Sequence, residues 1–152
     1  KYTIIQDADL EYDPKDILKI YKYIKKKKFE VVYGSRVLNK NKYQNMKNFT
    51  HLVRILGNIF LTFISNIINN QNLTDAHTCY KMFETKIFKK INLKEKGFAF
   101  CPEVTTKISN KKYNIYEVPI SYKGRTYDKG KKITSKDGLI ALYCLIKYKL
   151  ID

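Results

Sequence analysis

The sequence predicts an α/β fold in which parallel strands are joined through a helix. A run of β-type residues, 2–5, is followed by a helix start at Asp13 and Pro14 and by a second apolar run, 29–33. Aspartate can cap the free N–H groups of a first helical turn, and proline is tolerated there. Strand, helix and strand with short connections make a βαβ unit, which implies a right-handed crossover and a parallel sheet.

The remaining residues extend this pattern into one domain, 1–152. We expect an apolar stripe on the first helix formed by Ile17, Leu18, Tyr21 and Ile24. We expect further elements at 79–83 (a strand or turn), 85–91 (a short helix), 102–110 (a helix), 115–122 (a strand) and 137–150 (an amphipathic helix). Pro119 cannot donate to a ladder, which places the last strand at an edge or bulge. Residues 39–48 and 123–134 are polar and basic, and we interpret them as loops.

The bulk composition restricts the partners that this chain can have. Thirty Lys and Arg face 14 Asp and Glu, which leaves a net charge of +16 and implies an anionic partner: nucleic acid, a lipid headgroup surface or phosphorylated substrates. The 3 cysteines are odd in number and far apart, so neither a disulfide framework nor a zinc site is predicted.

The most apolar stretch, 52–69, predicts a long helix. Its polar residues recur at helical spacing and form a narrow stripe opposite a wide apolar face. They are Arg54, Asn58, Thr62, Ser65 and Asn69. Its uninterrupted apolar length is shorter than the ~20 residues of a membrane span. The helix lies either in the core or in a membrane interface, and we expect most of it in the core, with part of the face meeting lipid.

An acidic pair follows the first strand. Asp7 and Asp9 are two residues apart, so an extended chain points both carboxylates the same way where the strand ends. Oxygen ligands in such a place suit Mg²⁺ or Mn²⁺ holding a diphosphate. A solvated turn would carry the same spacing, and the pair alone does not decide between the two readings.

Five motifs in order along the chain resemble family 2 glycosyltransferases of the dolichyl- or polyprenyl-phosphate mannosyltransferase type. They are QDADLEYDP, VVYGSR, LTDAHTCYKMF, FAFCPEVTTKI and YEVPISYKGRTYDKGKKI. The resemblance implies a GT-A type nucleotide-diphospho-sugar transferase fold, with a Rossmann-like mixed sheet and helices on both faces. It also implies inverting transfer of mannose or glucose from GDP-mannose or UDP-glucose to a polyprenyl or dolichyl phosphate.

The resemblance also predicts how much of the enzyme this chain contains and where in the cell the enzyme works. The first strands of that family, which cradle the nucleotide, have no counterpart before Lys1, so we expect the carboxyl-terminal two-thirds of such an enzyme, inactive by itself. We also expect a peripheral protein on the cytoplasmic side of a membrane, at the endoplasmic reticulum in a eukaryote or the plasma membrane in a prokaryote. A membrane-anchoring subunit is a further expected partner.

The resemblance also assigns roles to individual residues. Asp7 and Asp9 are expected to bind the divalent metal, with Glu11 as a less certain ligand because relatives often carry Gln there. Arg36 is expected to hold the acceptor phosphate, although a surface arginine after a turn would look the same. Four residues are implied to act at the reacting phosphates: Arg36, Arg125, Lys131 and Lys132. The last three lie on a glycine-punctuated basic loop that would close over the diphosphate, and a solvated loop is the alternative.

Asp75 is the expected active-site carboxylate, and its role depends on the acceptor. A lipid phosphate needs no proton removed, so Asp75 would only orient groups, whereas a hydroxyl acceptor would need Asp75 or Glu103 as general base. A helix or turn cap is the alternative for Asp75. We assign His77 no chemistry and expect a hydrogen-bonded structural side chain.

Three other functions are compatible with parts of the sequence. A nucleic-acid-binding module would interleave basic and aromatic residues on one surface, but the tyrosines here fall inside apolar segments, and we expect no nucleic acid. A family 2 transferase acting on a glycan hydroxyl is the rival among enzymes. A truncated, inactive gene product is the third.

Overall fold

The computed structural model describes residues 1–8, 10–38, 49–124 and 135–151. The strands are β1 (Tyr2–Ile5), β2 (Val31–Ser35), β3 (Lys81–Glu84) and β4 (Tyr116–Pro119). The helices are α1 (Lys15–Lys27), α2 (Phe49–Asn69), α3 (Thr85–Phe88), α4 (Phe100–Asn110) and α5 (Ser135–Ile151). The loop predicted at 39–48 and the basic segment 125–134 lie outside the described residues.

The described strands form a four-stranded mixed sheet in the order β1-β3-β2-β4. Strand β3 is antiparallel to both β1 and β2, and β4 is parallel to β2. The strands β1 and β2 therefore run parallel, as the βαβ pattern predicts, but β3 lies between them. The predicted mixed α/β sheet is confirmed, and β4 with Pro119 lies at its edge.

The two faces of the sheet carry separate apolar cores. On one face, Val31 and Tyr33 of β2 pack with Val104 and Ile108 of α4. On the other, Val32 of β2 packs with residues of α1. Because side chains alternate along a strand, this division places α1 and α4 on opposite faces of the sheet.

Helix α1 begins as predicted but buries a different stripe. The Asp13 carboxylate accepts a hydrogen bond of 2.9 Å from the Lys15 N–H at the helix start. Ile20 and Ile24 are fully buried, whereas Leu18 is 62% exposed. The predicted stripe is thus wrong in its inclusion of Leu18 and of Tyr21, which is 39% exposed, because the face that meets the sheet is centred on Ile20.

Helix α2 turns its polar side inward and its apolar side outward. Thr62, Ser65 and Asn69 are buried. Six large apolar residues on the opposite side are exposed: Val53, Leu56, Ile59, Phe60, Phe63 and Ile67. The expectation that most of this apolar face lies in the core is wrong, because the polar stripe faces the protein.

Helix α5 packs against α2 and α4 and is apolar on more than one side. Its buried residues are Ala141, Cys144, Leu145 and Tyr148, and its exposed residues include Leu139, Tyr143, Ile146 and Leu150. Within the described ranges, no helix combines the length and apolar character that crossing a bilayer requires.

The loop between α2 and β3 is held by a buried lysine. The Lys81 ammonium donates hydrogen bonds to the backbone carbonyls of Ala76 and Thr78 and lies 4.4 Å from the centre of the Tyr33 ring. These contacts satisfy a charge that is removed from water, and they fix the loop that carries Asp75.

His77 lies in the same loop, and its buried ring nitrogen Nε2 has no hydrogen-bond partner among the described residues. Burial, followed by the positive charge of Lys81, lowers the pKa of His77 to about 4. The imidazole is therefore neutral at pH 7.

Gly34 allows β2 and the residue after β4 to approach closely. A Cβ at Gly34 would lie 2.8 Å from Cδ1 and Cγ2 of Ile120, which is fully buried. A side chain there must displace Ile120 or the end of β2, where Ser35 and Arg36 follow.

Gly34→Ala is expected to destabilise the protein by about 1–3 kcal/mol through overpacking. Gly57→Ala is the matched control, because nothing lies within 4 Å of a Cβ at this helical glycine, and it should stabilise by roughly 0.5–1 kcal/mol. Urea unfolding measures both changes. Equal effects of the two substitutions would contradict the close approach of Gly34 and Ile120.

His77 is expected to make stability depend on pH. Its pKa is about 4 in the folded protein, against the ordinary histidine value of 6.5. Between these values the unfolded chain binds the extra proton, so stability is lost as pH falls from 6.5 toward 4. The loss between pH 7 and pH 5 is about 2 kcal/mol. Urea unfolding at both pH values, compared with His77→Gln, measures it, and an unchanged pH dependence in the variant would refute the assignment.

Candidate functional site

The strand directions bring four chain segments together at the side of the sheet where β1, β2 and β4 end. We call this side the carboxyl edge. The carboxyl ends of β1, β2 and β4 lie at the same edge because the three strands run parallel. The amino end of β3 also lies there, since β3 runs the opposite way. The segments after Ile5, Ser35 and Pro119 thus meet the loop before Lys81, which is where the sequence places its candidate residues.

Arg36 and Asp75 form a two-pronged ion pair at the carboxyl edge. Arg36 Nε donates to Asp75 Oδ2 at 2.7 Å, and Arg36 Nη2 donates to Asp75 Oδ1 at 2.8 Å. The backbone N–H of Arg36 also donates to Oδ2 at 3.0 Å. The Asp75 side chain is 0% exposed and that of Arg36 is 14% exposed. The guanidinium therefore fixes the Asp75 carboxylate in one orientation.

Helix α2 supports the pair from its polar side. Asn58 Nδ2 donates to Asp75 Oδ1 at 3.3 Å, and Arg36 Nη2 reaches Asn58 Oδ1 at 3.4 Å. Burial alone would lower the pKa of Arg36, but the combined effects of the Asp75 carboxylate, Tyr12 and Tyr122 hold this pKa well above its ordinary value. The Arg36 guanidinium therefore stays protonated at all working pH values.

Glu117 of β4 holds the segment that carries Asp75. Its carboxylate accepts hydrogen bonds from the N–H of Thr74 at 2.7 Å, the hydroxyl of Thr74 at 2.8 Å and the N–H of Asp75 at 3.0 Å. Because the Thr74 hydroxyl donates its hydrogen to Glu117, it accepts the second bond: the Ser35 hydroxyl donates to Thr74 Oγ1 at 2.7 Å. Three segments of the edge are thereby joined: the end of β2, the 73–79 loop and β4.

Two tyrosines join the chain after β4 to the segment that carries Asp7 and Glu11, which we call the acidic segment. The Tyr122 hydroxyl donates to Glu11 Oε2 at 2.7 Å, and its ring lies 5.2 Å from that of Tyr12. The Arg36 guanidinium lies over the Tyr122 ring at 5.0 Å. Burial raises the pKa of Tyr12 and of Tyr122 above the usual range, and both phenols stay protonated.

The acidic segment itself is anchored through its backbone. The Asp7 N–H donates to Cys79 Sγ at 3.0 Å, and the side chain of Asp7 is exposed at the end of β1. Leu10 has φ +60°, so extended geometry does not continue to Glu11, which is buried. Glu11 therefore does not share a face with Asp7 through simple strand alternation.

The other predicted site residues lie outside the described part of the chain. These are Asp9 and, on the basic segment, Arg125, Lys131 and Lys132. In the ranges that the structure describes, no group of three acidic, histidine or cysteine side chains converges on a metal position. The described carboxylate of Asp7 has the oxygen chemistry that Mg²⁺ or Mn²⁺ prefers, and it fits such an ion.

Glu103, the alternative base, lies in a different network. Its two oxygens accept hydrogen bonds of 2.8 Å from the N–H groups of Lys94 and Glu95. Lys107 Nζ lies 3.1 Å from Glu103 Oε1, and both side chains are buried. This network fixes the segment before α4.

The sequence interpretation did not identify three groups of this cluster: Asn58, Glu117 and the Tyr12–Tyr122 pair. Asn58 belongs to the polar stripe of α2, and its signal was a polar line on an otherwise apolar helix. Glu117 is a single carboxylate in an apolar strand, which is a signal for a buried polar role. The two tyrosines carried no signal in the sequence pattern.

The sequence is similar to a known protein family and to several known proteins. Residues 1–92 match Glycosyl transferase family 2. The UDP-N-acetylglucosamine–dolichyl-phosphate N-acetylglucosaminyltransferase of Methanococcus voltae is 29% identical over 146 residues, which cover 95% of this chain and 57% of that protein. An uncharacterized protein of Methanocaldococcus jannaschii is 28% identical over 152 residues, covering 99% of this chain and 61% of that protein.

A further relative is the low-salt glycan biosynthesis hexosyltransferase Agl6 of Haloferax volcanii, 25% identical over 124 residues, which cover 82% of this chain and 29% of that protein. The chain thus spans 57% and 61% of the length of the first two relatives. The match over residues 1–92 confirms the recognition made from the five motifs and the GT-A fold class. The chain belongs to glycosyl transferase family 2.

Proposed function

We propose that this chain forms part of an inverting, metal-dependent glycosyltransferase that moves a hexose from a nucleotide sugar to a dolichyl or polyprenyl phosphate. The donor is GDP-mannose or UDP-glucose, and similarity to the Methanococcus voltae N-acetylglucosaminyltransferase adds UDP-N-acetylglucosamine to the donors to be assayed. The enzyme works as a peripheral protein on the cytoplasmic side of a membrane, with a membrane-anchoring subunit as a further proposed partner.

The observation that carries this proposal is the engagement of Asp75. Both carboxylate oxygens accept hydrogen bonds, from Arg36 and Asn58. A general base must take a proton from the acceptor, and a carboxylate held in this way by a guanidinium is a poor proton acceptor. Glu103, the other candidate base, is held by backbone N–H groups away from the carboxyl edge.

A phosphate acceptor fits this arrangement better than a hydroxyl acceptor. A lipid phosphate is already anionic and attacks the anomeric carbon without losing a proton to the enzyme. Asp75 then acts as a positioning residue that orients Arg36, and the Arg36 charge attracts the acceptor phosphate. A glycan hydroxyl, the alternative acceptor, would need a base that these two carboxylates do not supply.

The leaving diphosphate is assigned to the acidic segment and the basic loop. Asp7, Asp9 and Glu11 would hold Mg²⁺ or Mn²⁺, which when bound neutralises the charge that builds on the leaving diphosphate. Arg125, Lys131 and Lys132 are proposed to contact the same phosphates. Glu11 also accepts the Tyr122 hydrogen bond, so it links the acidic segment to the chain that leads into this loop.

The full-length protein is expected to choose a phosphate acceptor. Given nucleotide sugar and Mg²⁺, and offered polyprenyl phosphate beside a sugar hydroxyl acceptor, it should glycosylate the phosphate. Transfer to the hydroxyl alone would overturn the proposal. Product analysis by mass spectrometry separates the two.

The Asp75→Asn variant tests the same proposal through the role of Asp75. For a positioning residue, turnover falls by about 10- to 100-fold while the acid limb of the pH–rate profile keeps its position. Loss of that limb in the variant would show that Asp75 is a general base, and would favour the hydroxyl acceptor.

Asp7→Ala is expected to lower the rate of metal-dependent transfer by roughly 10²-fold or more. The free energy of unfolding should stay unchanged, because the Asp7 side chain is exposed. Asp13→Ala is the control, since Asp13 is also exposed but only caps the start of α1. Initial rates over a Mg²⁺ titration measure both. Equal activity of the two variants would reject the metal assignment.

A further inference from the structure

The outward side of α2 is an apolar strip with helical periodicity. Val53, Leu56, Phe60, Phe63 and Ile67 are all about half exposed or more and recur at intervals of three and four residues. Between Ile55 and Asn69 the helix carries no charged side chain. Its polar residues face the protein, so this helix is amphipathic in the opposite sense to a surface helix in water.

Helix α5, which lies beside α2, also exposes large apolar residues. It contacts α2, and the Leu61 Cδ1 of α2 lies 4.0 Å from where a Cβ of Gly138 would be. Leu139, Tyr143 and Leu150 are each more than 60% exposed. We call the exposed apolar residues of the two helices the α2–α5 face. Exposed apolar residues on two helices that contact each other mark a candidate site of interaction.

We propose that the α2–α5 face docks on the surface of an anionic lipid bilayer. Charge selects this partner over a second copy of the chain, because each chain carries a net charge of +16 and two copies would repel. Lys136 and Lys149 of α5 are exposed on the same helix as these apolar residues. Apolar residues with lysines beside them are typical of helices that lie in a membrane interface.

Docking in this orientation connects the bilayer to the candidate site. Asn58 lies on the inner side of α2 and contacts Arg36 and Asp75, while Phe60 and Phe63 lie on the outer side. An α-helix with its side chains is about 10 Å across. The Arg36–Asp75 pair therefore lies one helix diameter from the docked surface. This step rests on the proposed function, since it gives a lipid phosphate a short path to Arg36.

Flotation of the full-length protein with vesicles of phosphatidylcholine and phosphatidylglycerol tests the proposal. Leu56→Ser and Leu139→Ser should each weaken binding about tenfold, and the double variant by about 100-fold. Leu18→Ser on α1 is the matched control, because Leu18 is 62% exposed but lies on the other face of the sheet. Pure phosphatidylcholine vesicles should bind more weakly than the anionic ones.

Two results would overturn the proposal. One is equal vesicle binding by the wild type and the double variant. The other is a wild-type dimer in lipid-free buffer that the double variant converts to a monomer, since the face would then join two copies. Light scattering after size exclusion measures this.

The proposed function fails by a separate measurement. Wild-type protein that binds vesicles through the α2–α5 face, yet glycosylates no polyprenyl phosphate, would support the docking face and refute the transfer reaction. If both hold, the double variant should lose transfer to vesicle-embedded acceptor while keeping transfer to a short-chain, water-soluble polyprenyl phosphate.

Discussion

The salt bridge between Arg36 and Asp75 joins the end of β2 to the loop before β3, and the geometry of the candidate site depends on it. Removing a guanidinium and a carboxylate from water costs several kcal/mol for each ion. Their attraction offsets this cost only when the remaining hydrogen-bonding positions are filled. Here the Arg36 N–H and Asn58 fill positions on Asp75, while Glu117 accepts the N–H of Asp75 itself. Loss of any of these partners leaves a buried charge with fewer hydrogen bonds.

The antiparallel direction of β3 makes this pair possible. In an all-parallel sheet the segment before β3 would lie at the opposite edge from the segments after β1 and β2. Because β3 runs against its neighbours, Asp75 reaches Arg36, and Cys79 reaches the backbone of Asp7. The position of β3 between β1 and β2 therefore sets which residues share the edge.

Local chemistry in the sequence was enough to predict most of the elements, and the structure brings Arg36 and Asp75, two of the residues singled out by the motifs, into contact. Asp13 at the start of α1, the βαβ pattern and the positions of Arg36 and Asp75 follow from caps, periodicity and motifs. The insertion of β3 is a long-range pairing, which no local pattern contains. The polar stripe of α2 is visible in the sequence, but periodicity shows only that the polar and apolar residues lie on opposite sides of the helix. Which side meets the protein is decided by the buried partners of Asn58, Thr62 and Asn69, which come from distant segments.

The same principle explains why α2 leaves so much apolar surface outside. Asn69 donates to Thr106 of α4, Thr62 accepts from the N–H of Ala76, and Asn66 pairs with the backbone of Leu73. Rotating the helix to bury Phe60 and Phe63 would remove these hydrogen bonds and leave the backbone N–H of Ala76 without its acceptor. An unpaired buried polar group costs about 1–3 kcal/mol, comparable to the gain from burying one large apolar side chain. The polar contacts thus hold the helix in this orientation, and a hydrophobic environment beside the outer face would lower its free energy further.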